Sequence, residues 1–169
     1  MKYTMTIGLY LGVFFSVIVI IMKLRGLVHY PGDSSGMINT VALSMAMVLF
    51  GKKYRDTIYE GDELSYKSAF KVLAMIVVFS SVIYSFFSYW YYAVIEPTGI
   101  SSYVEQMRII YSQNPSFTEA QIDSLMSLFK SSITPGVMAF VVFFTQTVMG
   151  IFVALISAFF VKTPVQRAE

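Results

Sequence analysis

The side chains that could do chemistry are few and stand far apart. The single histidine, His29, has no nucleophile or second ligand near it in the chain, which argues against a Ser-His-Asp relay and against a His-rich zinc site. There are no cysteines, so disulfides, thiolate catalysis and thiolate metal sites are excluded. No glycine-rich phosphate loop occurs. Glu96 could pair with Asp33 or Glu105 to hold a divalent cation through oxygen ligands, but nothing in their spacing demands it, and a solvated charged rim accounts for them equally well. Gln146, between Thr145 and Thr147, is the one amide deep in an apolar run; it is expected to hydrogen-bond a neighbouring helix or, less commonly, to line a substrate path. The chain is expected to be no enzyme and to carry no cofactor and no metal.

The elements that must carry these residues are long and apolar. Of 169 residues, 56% are hydrophobic and 13% charged, against roughly 45–50% and about 25% for soluble domains. Four runs lack any Asp, Glu, Lys, Arg or His: Tyr3 to Met22, Ser34 to Gly51, Val72 to Ile95 and Ser131 to Val161, of 20, 18, 24 and 31 residues. Each reaches the roughly 18 apolar residues of a spanning helix. The first lacks a small-residue cleavage site and reads as a retained span. The expected fold is therefore all-α and integral to a membrane: four transmembrane helices in two hairpins, at about 3–24, 34–51, 68–95 and 135–161. A loop at 52–67 joins the hairpins' inner ends, and a short extracytoplasmic helical segment at 98–130 lies between helices 3 and 4.

Local signals refine this plan. Gly8 and Gly12 in the first run, and Gly150, Ala154 and Ala158 in the fourth, are candidate helix-packing positions, since small side chains let backbones approach closely in lipid. Ser65 is placed to cap the third helix, and Glu60-Gly61-Asp62 reads as a turn. Tyr89-Trp90-Tyr91-Tyr92 suits the headgroup layer, and Glu96-Pro97 stops the helix. Between Thr98 and Lys130, Ser102 with Glu105 and Thr118 with Gln121 read as capping boxes, the second with Phe117 and Ile122 as a hydrophobic staple. Ile122, Leu125, Met126 and Phe129 then make an apolar stripe at helical spacing. It packs on the protein's own helix ends, lies at the interface, or forms an outer face for a partner.

Charge sets the orientation. With the N-terminus inside, Lys2, Lys52, Lys53, Arg55, Lys67, Lys71, Lys162 and Arg167 lie inside, against Lys23, Arg25, Arg108 and Lys130 outside. The positive-inside rule then puts both termini and the central loop in the cytoplasm. Lys52, Lys53, Tyr54, Arg55 and Asp56 form a candidate cytoplasmic interface, where the basic residues can meet anionic headgroups. Nothing in the charge pattern suggests nucleic acid.

The chain resembles a family of small Bacteroidota membrane proteins known as domain of unknown function 4199. The likeness rests on Gly8 and Gly12, on Lys53-Tyr54-Arg55-Asp56 with Gly61, Ser65-Tyr66 and Ala69-Phe70-Lys71, and on the aromatic end of the third run with Glu96-Pro97. It implies a four-span inner-membrane protein of a Gram-negative bacterium and brings no activity with it. Two functions remain open: a non-enzymatic scaffold or accessory subunit, with a membrane-protein partner or as a homo-oligomer, or a carrier for a lipid or other apolar small molecule.

Overall fold

The computed structural model describes residues 2–26, 34–59 and 63–163. His29, Asp33, the expected turn at Glu60-Gly61-Asp62 and Arg167 lie outside them. Among the described residues six α-helices follow one another: α1 (Lys2–Leu24), α2 (Ser34–Ile58), α3 (Tyr66–Trp90), α4 (Gly99–Ser112), α5 (Glu119–Ser132) and α6 (Pro135–Val161). Among the described residues there is no strand.

The helix starts follow from side chains that satisfy otherwise orphaned backbone donors. Ser65 caps α3 from an extended backbone, its Oγ accepting from the Ser68 amide at 3.2 Å. Thr118 and Gln121 form a reciprocal capping box at α5, and Phe117 packs against the cluster that contains Ile122, as the staple requires. Thr134 caps α6, with Pro135 in the first turn where its missing N–H costs nothing. The Ser102–Glu105 box does not form. The Gly99 amide already donates to the Glu96 carbonyl at 3.0 Å, so helix resumes directly after Pro97. Ser102 is then interior to α4, and its hydroxyl donates back to the Thr98 carbonyl at 3.1 Å. Helix α2 also runs further than the apolar run, through the charged residues to Ile58.

Four helices make the bundle. α3 is its centre, packed along α1 on one side and α6 on the other, while α2 closes the ring against α6 and α1. Gly8 lies against residues 76–80 and Gly12 against residues 80–83, so α1 and α3 run in the same direction. Val77 meets Gly150 and Ser85 bonds to Ala139, so α3 and α6 run in opposite directions. The core is a continuous cluster centred on Phe15, Leu43, Met47, Leu73, Ile76, Val77, Ala154 and Ala158. At its C-terminal end α3 widens into a π turn over Tyr91–Ile95, closed by Glu96 N–H donating to Tyr91 O at 2.8 Å, and Pro97 follows.

Among the described residues, α1, α3 with its π turn, and α6 are long and apolar enough to cross a membrane. They are not apolar because they are buried. Only 44%, 28% and 17% of their most apolar stretches lie inside the protein, and their outward faces carry side chains such as Leu9, Phe14, Phe86, Phe144, Phe152 and Phe160. A soluble monomer rarely exposes apolar area on this scale.

Candidate functional site

The charged end of the bundle is the most heavily cross-linked region. Tyr3 Oη donates to the Phe50 carbonyl at 2.9 Å, joining α1 to α2, and its ring lies 5.2 Å from that of Tyr54, which in turn lies 5.8 Å from that of Tyr59. Arg55 donates through Nε to Asp56 Oδ1 at 2.8 Å and through a terminal nitrogen to the Val161 carbonyl at 3.4 Å. A guanidinium thus sits on the last carbonyl of α6, where the helix dipole favours positive charge. Leu64 and Thr163 exchange two bonds, Leu64 N–H to Thr163 Oγ1 at 2.9 Å and Thr163 N–H to Leu64 O at 3.0 Å. Tyr66 Oη donates to Leu155 O at 3.1 Å and its ring rests 4.6 Å from Phe159. Of the five candidate interface residues, Tyr54 and Arg55 are half-buried and serve these clamps, whereas Lys52, Lys53 and Asp56 are exposed.

The small residues hold the bundle itself together. A Cβ on Gly8 would fall 2.5 Å from Phe79 Cβ, and one on Gly12 would fall 2.6 Å from Ile83 Cβ and 2.9 Å from the Ser80 carbonyl. Gly150 packs on Val77 in the same way, and Ala154 and Ala158 are fully buried. These faces meet within one chain, so they are not free for a second one. Gly51, which sequence patterning did not single out, has the same role: its Cβ would lie 2.6 Å from Val161. The only sign of it in the sequence is a glycine inside a helix just before a charged segment.

At the other end, α4 and α5 form a hairpin with its own small core of Val104, Ile122 and Met126, with Met107, Tyr111, Leu125 and Phe129 packed around it. Arg108 pairs with Asp123 at 2.7 Å and with Glu119 at 3.7 Å across the hairpin. The stripe of Ile122, Leu125, Met126 and Phe129, considered above as an outer partner face, is therefore covered by α4. Periodicity shows that a face is apolar without showing what covers it. The apolar side chains left in the open on this hairpin are Ile109, Ile110 and Leu128. Glu96 accepts from the Lys23 ammonium and from the Thr98 hydroxyl, the latter at 2.8 Å. The lysine bond first, and then the threonine bond, hold its carboxyl below the usual carboxylate range. Glu96 is thus engaged with a cation of its own chain. Of the aromatic run, Tyr89 and Trp90 face outward, while Tyr91 is buried beside Phe87 and Tyr92.

A family model described as protein of unknown function, DUF4199, matches residues 6–163. The chain belongs to this family. No curated protein and no solved structure matches it.

Within this DUF4199 chain the glycine contacts and the clamps made by Arg55, Leu64, Tyr66 and Thr163 fall inside the matched region, while Tyr3 lies just before it. The hydroxyls of the bundle helices are largely tied to their own helices: Ser16 to Gly12 O, Ser44 to Thr40 O, Ser80 to Val77 O and Ser88 to Tyr84 O. Ser85 instead reaches across to Ala139 O on α6 at 2.8 Å. A second group of polar atoms is buried without a protein partner, namely Asn39 Oδ1, Ser81 Oγ, Gln146 Nε2 and Thr147 Oγ1. Asn39 Nδ2 lies 3.4 Å from Tyr84 Oη, a long contact between α2 and α3. Gln146, expected to bond a neighbouring helix through its side chain, leaves Nε2 without a partner among the described residues.

Proposed function

We propose that this chain is a four-span protein of a bacterial inner membrane, with both termini in the cytoplasm, acting as a non-enzymatic scaffold or accessory subunit of a membrane assembly. Support for the fourth span comes from α2. Its composition is diluted by Ser34, Ser35, Asn39, Thr40 and the charged residues of its last turns, yet Ile38, Val41, Met45 and Leu49 project outward at helical spacing, 45–64% exposed. Lying beside α1 and α6, it shares their surroundings, and an outward apolar stripe suits lipid better than water.

The observation that carries the scaffold reading is the α4–α5 hairpin. A helical pair with its own core, internal ion pairs and exposed Ile109, Ile110 and Leu128 is a preformed platform outside the bilayer. Covering these apolar side chains with a partner would remove them from water, which is favourable in proportion to the apolar area buried. The test is mass spectrometry of the protein extracted gently from its native membrane, beside an Ile109→Asp, Ile110→Asp variant. A stoichiometric protein partner lost from the variant is the expected result. The carrier reading is favoured by the apolar grooves along α3, one of about 470 Å³ between Val82, Phe86, Ala139 and Phe143. A single enriched lipid with no protein partner would decide for it.

A further inference from the structure

We propose that the face of α3 from Lys67 to Phe79 is a binding site for one anionic phospholipid. This rests on the membrane-spanning reading and does not depend on the scaffold role. A groove of about 510 Å³ runs along this face, lined by Lys67, Phe70, Lys71, Ala74, Met75, Val78 and Phe79. Below the two lysines its lining is wholly apolar, with the small Ala74 set between Phe70 and Phe79. Lys67 and Lys71 stand one helical turn apart, so both ammonium groups lie over the same end of the groove. Both are exposed, and neither has an ion pair among the described residues.

The dimensions fit one leaflet. From residue 67 to 79 the helix rises about 18 Å, close to half of the roughly 30 Å hydrocarbon core. A phosphate at the lysines would place an acyl chain along the groove. Other occupants fit less well. A peptide in extended form would bring unsatisfied backbone groups into hydrocarbon, and a second copy docked through the same patch would bring each lysine pair toward its symmetry mate. Lys52 and Lys53, on α2, do not line this groove, so they draw headgroups without selecting one lipid.

The protein is reconstituted in nanodiscs of phosphatidylcholine with a minority of phosphatidylglycerol, and retained lipid is read by native mass spectrometry. The wild type is expected to keep one phosphatidylglycerol. K67Q/K71Q should weaken that retention about thirtyfold, from the attraction of two basic residues at a membrane surface. A74F, which fills the groove and leaves both lysines, should weaken it too, while K52Q/K53Q should not. Circular dichroism confirms that each variant is folded, and the two lysine substitutions are at the surface and leave the core untouched. Unchanged retention in K67Q/K71Q, equal retention of phosphatidylcholine, an equal loss in K52Q/K53Q, or a dimer in place of a lipid would each overturn the site. Alkaline extraction of cell membranes separates the two levels. Release of the protein would overturn the membrane reading and the site with it, whereas retention without lipid preference would overturn the site alone.

Discussion

At Gly12 a single methyl group has nowhere to go, because the nearest atoms include a backbone carbonyl that cannot swing aside. Gly12→Ala is expected to cost roughly 1–3 kcal/mol, the range for overpacking a well-fitted contact. Gly136→Ala, whose Cβ would meet nothing nearer than 3.8 Å, should be neutral or slightly stabilising. Thermal unfolding in one mild detergent compares the two directly. Glu96 makes a pH-dependent contribution of definite sign. Its carboxyl is held down by Lys23 and Thr98 when folded, so its contribution is fully present above the unfolded value of about 4.3 and is lost as pH falls through the lower folded value. Glu96→Gln should therefore be less stable than wild type at neutral pH, with the difference shrinking below about pH 4. A constant difference across that range would mean that the pair contributes nothing through charge.

At the scale of elements, the hairpin α4–α5 should behave as a unit of its own. Thr118→Ala removes the cap of α5 and is expected to cost about 0.5–2 kcal/mol, seen as faster hydrogen exchange in α4 and α5 with α6 unchanged. This box was legible because both partners are local, three residues apart. Ser102 and Glu105 have the same spacing and form no box, since the chain resumes helix at Gly99 and the backbone donors there are already used. The end of α2 was not legible for a different reason. Lys52 to Asp56 look like loop by charge, but the helix runs through them, and Arg55 on its last turns reaches the Val161 carbonyl 106 residues away, a contact that local sequence does not reveal. Gly8, Gly12 and Gly150 could be picked out as small residues in apolar runs, while their partners on α3 required the fold. The polar atoms of Asn39, Ser81, Gln146 and Thr147 show the same limit, since residue type predicts a need for a partner and only packing decides whether it is met.

For the whole molecule, what matters is which faces point outward. Apolar runs of spanning length identified the helices, and their exposed apolar faces are what make a membrane the natural surroundings. The small-residue faces are used up within the chain, so association with another protein has to use the hairpin or the helix exteriors. The four-span, N-terminus-inside account makes one demand above the others: the start of α3 and the tip of the α4–α5 hairpin must lie on opposite sides of the membrane. The chain has no cysteines, which makes single-cysteine labelling clean. Glu63→Cys is preferable to a change at Ser65, whose hydroxyl caps α3, and Ser116→Cys marks the exposed hairpin tip. The measurement is modification by an impermeant thiol reagent in intact cells and after permeabilisation. The account predicts that Ser116→Cys is modified in intact cells and Glu63→Cys only after permeabilisation. Modification of both in intact cells, or of Glu63→Cys alone, would contradict it.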